Sequence, residues 1–234
     1  MCTECGCSAG PDKGYKLLSV ETDLLNRNRR TAHQTRAWLA QRQVVALNLL
    51  SSPGAGKTAI LERTLRELGG QIRFQVVEGD QATRNDADRI EAAGGQVVQL
   101  NTGTGCHLGA RQVQEALQQL DPAPGTLCFI ENVGNLVCPA LFDLGENAKV
   151  VILSLPEGED KPVKYPHCFK ESQLMLLNKM DLLEPLGFDM ERCLGYARQV
   201  NPELVVLPLS ARSGQGLTAW YEWLGQRVGQ RVGV

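Results

Sequence analysis

One segment of the chain has the residue types and spacing of a phosphate-binding loop. Residues 51–58 read SSPGAGKT and lie between an apolar run and a helical pattern. In this setting, backbone N–H groups at a helix N-terminus bind phosphate oxygens, the lysine reaches the terminal phosphates and the hydroxyl helps to hold Mg²⁺. Ser51 stands where the usual pattern has glycine, so a glycine-rich turn without a ligand is the alternative. The predicted phosphate-binding residues are Pro53, Gly54, Ala55, Gly56, Lys57, Thr58 and Ala59.

A second motif indicates the base of the nucleotide. The tetrapeptide NKMD at 178–181 follows an apolar run, and open α/β sheets bind ligands at the carboxyl ends of their strands. The Asp181 carboxylate can accept hydrogen bonds from guanine N1–H and N2–H, donors that adenine does not offer in that arrangement. Asn178 is expected to brace the loop and approach N7, Lys179 to lie along the base, and the Ala211 N–H to meet O6. The predicted base-binding residues of this GTP or GDP site are Asn178, Lys179, Asp181, Ser210, Ala211 and Arg212.

Hydrolysis also needs a metal ion and a group that positions water. The sequence FIENVG at 129–134 resembles the DxxG switch of G proteins with glutamate in place of aspartate, and its glycine can donate a backbone N–H to the γ-phosphate. Asp80 ends another apolar run and is a candidate for contact with Mg²⁺ or water; a helix N-cap is the alternative. The predicted catalytic residues are Lys57, Asp80, Glu131 and Gly134, and the predicted Mg²⁺ ligands are Thr58, Asp80 and Glu131.

The first seven residues contain the pattern C-x-x-C-x-C, formed by Cys2, Cys5 and Cys7. Three thiolates at this spacing can close around one soft or borderline cation, and backbone amides or the α-amino group could complete the coordination. Ni²⁺, Zn²⁺ and Cu⁺ all suit such a set, and the residues themselves do not rank them. Incidental surface thiols are the alternative.

Cys106 and His107 follow a glycine-rich turn, and Cys138 comes four residues after the glycine of the switch. Two thiolates and an imidazole predict a second metal site, in which Cys138 completes the set or bridges to a second chain. The alternative is that the cysteines are small core residues and His107 caps a helix. The remaining cysteines, Cys128, Cys168 and Cys193, are not predicted as ligands.

The short distance in sequence between Gly134 and Cys138 has a thermodynamic consequence. If Gly134 senses the γ-phosphate while Cys138 holds a metal ion, nucleotide state and metal affinity are coupled in both directions. A switch segment ordered by the γ-phosphate is then expected to load or release metal.

The elements that position these residues alternate between strand and helix. The apolar runs are 44–50, 73–78, 96–100, 126–131, 148–155, 173–178 and 204–208, and the helical patterns are about 57–68, 82–93, 108–120, 187–200 and 215–228. This alternation predicts an α/β fold of the P-loop NTPase type, with a mostly parallel sheet flanked by helices on both faces. We expect a flexible Cys-rich leader at 1–16 and a G domain at 17–234 that includes an N-terminal helix at about 19–41.

Composition limits the partners. The 234 residues are 43% hydrophobic and 21% charged with a net charge of −2, so no strong electrostatic attraction to nucleic acid or to a membrane surface is expected. No apolar stretch has the length of a membrane span, and the N-terminus lacks the apolar region of a secretory signal. We therefore predict a cytoplasmic location, where cysteines are thiols or metal ligands rather than a disulfide framework.

The motifs together resemble those of the HypB family, the nickel-incorporation GTPases of nickel–iron hydrogenase maturation. The resemblance covers nearly the whole chain and rests on MCTECGC, SSPGAGKT, EGDQAT, TGTGCHL, IENVGNLVCP, PEGEDKPVKYP and NKMD. Urease accessory G proteins carry Cys-Pro-His, whereas Ala140 follows Cys138-Pro139 here, which favours the hydrogenase branch. With only three histidines, bulk nickel storage is not expected.

The resemblance implies a GTP-hydrolysing metallochaperone with slow turnover that delivers nickel and forms a homodimer when nucleotide is bound. It implies a tight nickel site at the three leader cysteines and a second Ni²⁺ or Zn²⁺ site at Cys106, His107 and Cys138 on the dimer interface. Lys161 is implied to reach the partner's nucleotide. The implied protein partners are a small zinc-binding maturation factor and the hydrogenase large subunit. The alternatives are a nickel- or zinc-sequestering protein with vestigial nucleotide binding, a urease-type accessory GTPase and, more remotely, a P-loop kinase.

Overall fold

A computed structural model describes residues 12–80 and 83–229, with side chains from residue 23 onward. The predicted leader site of Cys2, Cys5 and Cys7 lies outside the described residues.

The described chain alternates strands and helices from residue 45 onward. The strands are β1 (Val45–Ser51), β2 (Phe74–Asp80), β3 (Gln96–Asn101), β4 (Leu127–Glu131), β5 (Ala148–Ser154), β6 (Leu174–Asn178) and β7 (Val205–Pro208). The helices are α1 (Asp12–Gln41), α2 (Lys57–Leu68), α3 (Asn85–Ala92), α4 (Ala110–Leu120), α5 (Cys138–Leu141), α6 (Lys161–Lys164), α7 (Pro166–Lys170), α8 (Leu183–Leu186), α9 (Met190–Val200) and α10 (Leu217–Arg227).

The strands form one sheet in the order β3-β2-β4-β1-β5-β6-β7, and every neighbouring pair is parallel. This confirms the predicted α/β architecture. Because all strands run in the same direction, their carboxyl ends and the loops that follow lie along one edge of the sheet. The chain leaves β1 toward β2 on one side and leaves the neighbouring strand β4 toward β5 on the other side, and such a reversal between adjacent strands opens a ligand crevice at that edge.

Both faces of the sheet are buried, as the apolar runs predicted. Leu47 and Leu49 of β1 point to one face and pack in the same cluster as helices α2 and α10. Ala46 and Leu50 point to the other face, where α1 and α4 cover one half and α7 and α9 the other. Alternate residues of a strand face opposite sides of the sheet. A sheet that is covered by helices on both faces therefore requires apolar residues at nearly every position.

Helix boundaries differ from the sequence-based prediction at several points. Helix α1 begins at Asp12 rather than near 19, so residues 12–16 belong to the helix and not to the leader. Gly14 lies inside it; an interior glycine costs only about 1 kcal/mol, which the rest of a long helix can outweigh. The predicted helix 82–93 is shorter, and the short helices α5 to α8 were not predicted. Within the described residues, none of the helices has the length and apolarity needed to cross a bilayer.

Candidate nucleotide and metal sites

The loop between β1 and α2 has the backbone that phosphate binding requires. Gly56 has φ 100°, a left-handed conformation that favours glycine, and a Cβ at this position would collide with the Asn178 side-chain amide. The loop forms one wall of a cleft of about 430 Å³ at the carboxyl edge of the sheet. Helix α2 starts immediately afterwards at Lys57, so its free N–H groups face the cleft region.

The side chains of the P-loop are already engaged with neighbouring oxygens. Lys57 Nζ donates to Ser51 Oγ at 2.9 Å, and Thr58 Oγ1 donates to Glu131 Oε1 at 2.8 Å. Ser51 is the last residue of β1, where an extended backbone has no need of glycine, so the departure from the usual pattern is tolerated. A phosphate oxygen would compete with the Ser51 hydroxyl for the lysine ammonium.

Two buried carboxylates lie side by side in this cleft. Glu78 of β2 is the register partner of Glu131 of β4, and the two are 2% and 3% exposed. In the described part of the chain, neither Oε2 atom has a hydrogen-bond partner. Burial, followed by the charge of Glu131, raises the pKa of Glu78 to about 8. Burial raises the pKa of Glu131 as well, against the opposing influence of Lys57 and Thr58.

This cluster fits a divalent cation. Mg²⁺ prefers carboxylate and hydroxyl oxygens; the Thr58 hydroxyl bonds to Glu131, and Glu78 and Glu131 each keep one carboxylate oxygen without a partner among the described residues. Sequence reasoning selected Glu131 and Thr58 but missed Glu78. A signal was present: Glu78 lies two residues before Asp80 on the same strand, so both side chains project from the same face.

Asp80 lies at the cleft and also holds the turn that leads toward α3. It lines the cleft, and its Oδ2 accepts from the backbone N and the hydroxyl of Thr83 at 3.0 and 2.8 Å. Helix α3 begins only at Asn85, so Asp80 holds the turn before the helix rather than capping the helix itself.

Gly134 lies directly against the P-loop. A Cβ on Gly134 would stand 3.1 Å from the Pro53 N and Cα atoms, so the close approach depends on glycine. The contact brings the switch segment beside the phosphate-binding backbone, where its N–H was predicted to act.

The predicted base-binding residues are joined to the P-loop by hydrogen bonds. Asn178 Nδ2 donates to Ala55 O at 2.8 Å, and Asn178 Oδ1 accepts from Ala211 N at 3.1 Å. Lys179 Nζ donates to Gly54 O at 2.7 Å. Asn178 thus braces two loops at once, as expected, and the Ala211 N–H that was expected to meet guanine O6 is engaged with Asn178.

Ser210 positions the carboxylate that was predicted to read guanine. Its hydroxyl donates to Asp181 Oδ1 at 2.5 Å and accepts from Ser213 N at 3.1 Å. Arg63 holds the same loop through the carbonyl oxygens of Ala211 and Arg212, each at 3.1 Å. These contacts fix one oxygen of the half-buried Asp181 carboxylate, and Arg212 contributes through its backbone.

The three residues of the second predicted metal site lie close together. Ligand atoms of Cys106, His107 and Cys138 all lie within 4.8 Å of one another, and no other such group of three occurs among the described residues. The His107 ring stacks on Phe142 with centroids 3.9 Å apart. Burial lowers the pKa of His107, which favours the neutral imidazole that metals bind. Hydrogen bonding with the Cys138 side chain, in which Cys106 keeps its proton, raises the pKa of Cys106.

The donor set of two thiols and one imidazole suits Ni²⁺ or Zn²⁺ and leaves room for a further ligand. The remaining cysteines do not contribute. Cys128, Cys168 and Cys193 are fully buried in the core, and burial raises the pKa of each to about 12. Lys161 is not among the residues that line the cleft; its Nζ lies 5.3 Å from the centre of the Tyr165 ring.

The chain is similar to proteins of one known family. The family model described as the CobW/HypB/UreG nucleotide-binding domain matches residues 45–208. The hydrogenase maturation factor HypB of Azotobacter vinelandii is 54% identical over 217 residues, which are 93% of this chain and 72% of that protein. The chain belongs to the HypB family. A probable HypB of Methanocaldococcus jannaschii is 37% identical over 91% of this chain and 96% of its own length.

Solved HypB structures share the fold. HypB from Archaeoglobus fulgidus superposes with a TM-score of 0.81 at 34% identity, covering 87% of this chain and all of that one. HypB from Helicobacter pylori, solved in complex with nickel, superposes with a TM-score of 0.82 at 32% identity over 89% of this chain and 99% of that one. The HypB resemblance drawn from the motifs is therefore confirmed at the level of family and fold.

Proposed function

We propose that this HypB-family chain is a GTP-hydrolysing nickel metallochaperone of hydrogenase maturation, in which metal affinity depends on nucleotide state. One observation carries the proposal: a single eight-residue segment, 131–138, begins at a carboxylate of the phosphate cleft and ends at a thiol of the metal cluster. The nickel in the structure of the related H. pylori protein supports nickel as the cargo.

Hydrolysis uses the cleft residues in distinct roles. Lys57 neutralises charge on the terminal phosphates, while Thr58 and Glu131 would hold Mg²⁺, which would supply further positive charge there. Asp80 orients the attacking water, whose oxygen forms a bond to the γ-phosphorus as the bond to the bridging oxygen breaks; GDP, phosphate and the proton from water are released. The base is selected by Asp181, whose carboxylate Ser210 holds in place.

The metal cluster offers three protein ligands from one chain. Val137 and Leu141, on either side of Cys138, are 53% and 51% exposed, an apolar surface that supports pairing with a second copy. In the proposed nucleotide-dependent homodimer, the partner copy completes the coordination of Ni²⁺ or Zn²⁺, and Lys161 extends toward the partner's nucleotide. The leader cysteines form the tighter nickel site, and a small zinc-binding maturation factor passes nickel on to the hydrogenase large subunit in the cytoplasm.

A nickel titration tests the proposal. We would titrate Ni²⁺ calorimetrically into full-length protein and into the triple variant Cys2→Ala, Cys5→Ala, Cys7→Ala, each with GDP and with a non-hydrolysable GTP analogue. Substitution is preferable to truncation at residue 17, because α1 begins at Asp12. We expect the triple variant to lose one site and to keep a weaker site whose affinity differs between the two nucleotides.

Equal affinity in both nucleotide states would refute the coupling. Lys57→Ala checks the enzymatic part: we expect loss of GTP hydrolysis, and near-normal turnover would remove the P-loop assignment. A nickel-sequestering protein with vestigial nucleotide binding would instead show wild-type nickel delivery in the Lys57→Ala variant.

A further inference from the structure

We propose that the side-chain amides of Asn132 and Asn135 are the positioning groups that transmit nucleotide state to the metal cluster. The inference rests on the proposed function, because it identifies the contacts through which the coupling acts. Both asparagines lie in the segment 131–138. Asn132 bonds to the backbone just after His107, and Asn135 bonds to the backbone just before it.

Asn132 holds the residue that follows His107. Its Oδ1 accepts from Leu108 N at 3.2 Å and from its neighbour Val133 N at 3.0 Å. Asn132 is 1% exposed and adjoins the cleft carboxylate Glu131. A shift of the switch backbone at this point therefore moves the hydrogen-bond acceptor of the metal-binding loop.

The orientation of the Asn132 amide is fixed by its surroundings. Two N–H donors face Oδ1, so Nδ2 must be the group that donates to Asn48 Oδ1, at 3.3 Å. Asn48 in turn donates to Glu146 Oε1 at 3.2 Å, and all three side chains are buried. Because buried amides are costly to leave unpaired, the Asn132 side chain cannot turn away from Leu108 without breaking this series of bonds.

Asn135 holds the residue that precedes His107. Its Nδ2 donates to Cys106 O at 3.4 Å, and its Oδ1 accepts from Val137 N at 2.8 Å. The second bond shapes the turn that leads into Cys138. One half-buried amide thus contacts the backbone of two metal-ligand segments, while the preceding Gly134 abuts the P-loop.

A third contact, the packing of Leu108 on strand β2, connects the metal-binding loop to the cleft. Leu108 is fully buried, and a Cβ on Gly79 would lie 2.9 Å from its side chain. Gly79 sits between Glu78 and Asp80, so the residue after His107 packs directly on the strand that carries the cleft carboxylates. Leu108 is anchored both by this packing and by Asn132, which leaves it little freedom to absorb a movement of either.

The test measures a ratio that a purely structural defect would not change. Ni²⁺ alone is titrated into the full-length chain with the three leader cysteines substituted by alanine, once with GDP and once with a non-hydrolysable GTP analogue. The ratio of the two dissociation constants is the coupling factor, for which we expect about 10-fold or more in the parent. In Asn132→Ala we expect it to fall to about 2-fold or less, and in Asn135→Ala to an intermediate value.

Asn201→Ala is the matched control. The Asn201 side-chain amide also stabilises a loop, because it donates to the backbone carbonyls of Ser172 at 2.9 Å and Phe169 at 3.1 Å. Asn201 belongs to neither the nucleotide cleft nor the metal cluster. We expect it to lose stability and to retain the parental coupling factor. Reciprocity gives a second readout: in Asn132→Ala, nickel should no longer alter the affinity for the GTP analogue.

The outcomes separate the inference from the function on which it rests. A coupling factor of one in the parent refutes the proposed function. A parental coupling factor retained in both asparagine variants refutes the inference while leaving the proposed function standing. If Asn132→Ala does not fold, Asn135→Ala decides alone, because its less buried side chain leaves a smaller defect; an unchanged ratio there also overturns the inference.

Discussion

Replacing Glu78 by glutamine should reduce the loss of stability that the ligand-free protein suffers as pH rises. The carboxyl keeps its proton in the folded state up to a pKa of about 8, whereas its ordinary value is 4.5. Between these values the folded state binds more protons than the unfolded chain, so the free energy of unfolding falls as pH rises. The stabilising contribution is complete below pH 4.5 and is lost by about pH 8.

The size of the effect follows from the same two values. At about 1.4 kcal/mol per pH unit, the difference between the two pKa values corresponds to a loss of roughly 5 kcal/mol in the free energy of unfolding, which is an upper limit. Glu131 shares the site and takes up part of the proton binding, so we expect about 2–3 kcal/mol for Glu78 itself. Glutamine has the shape and neutrality of the protonated acid. The variant should therefore match the parent near pH 5 and exceed its stability by about 2–3 kcal/mol near pH 8.5.

Urea unfolding from pH 5 to 8.5, without Mg²⁺ or nucleotide, measures the difference. Glu115→Gln is the control, since Glu115 is an exposed glutamate paired with Arg111 and should leave the pH dependence unchanged. Addition of Mg²⁺ and GDP at pH 8 should reverse the order, because the parent gains a ligand-binding carboxylate that the variant lacks. If parent and Glu78→Gln lose stability in parallel as pH rises, the explanation by this carboxyl is wrong.

Three further substitutions test other parts of the structure. Asp181→Asn should lower the affinity for GTP by about 100-fold or more and raise the affinity for xanthosine triphosphate, as measured by nucleotide competition. Unchanged GTP binding would contradict guanine recognition by this carboxylate, which Ser210 holds in place. Cys138→Ser should weaken nickel binding at the domain site by about 10-fold or more while leaving GDP affinity intact, and equal nickel titrations would exclude the thiol as a ligand. Trp220→Phe should lower the free energy of unfolding by about 1–3 kcal/mol in urea, because it leaves a cavity and removes the indole N–H that donates to the buried Thr64 hydroxyl at 3.0 Å. A change below about 0.5 kcal/mol would show that the site repacks.

The strands and the main site residues could be predicted because their signals are local. The apolar runs of β4 and β5 have no polar alternation, which identifies strands buried on both faces. The P-loop and NKMD lie directly after such runs, so the topology rule places them at one edge of the sheet. The short helices α5 to α8 escaped prediction because a segment of four or five residues shows no helical period.

The buried polar network could not be predicted, because its partners are far apart in sequence. Asn132 bonds to residues 24 and 84 positions away, and sequence alone gives no indication of these pairings. One clue was visible. Asn48 interrupts the apolar run of β1, and a polar side chain at a position buried on both faces needs a hydrogen-bond partner in the core.

The order of the strands gives the proposed coupling of the two sites a structural basis. Cys106 and His107 come from the loop after β3, and Cys138 from the segment after β4, yet β3 and β4 are not neighbours: β2 lies between them. A cluster that joins these two loops must therefore span the carboxyl end of β2, which carries Glu78 and Asp80. The packing of Leu108 on Gly79 is the contact this arrangement requires. A metal ion held by both loops would lie over the strand that contributes carboxylates to the phosphate cleft, so the proposed coupling could act through these contacts without a larger domain movement.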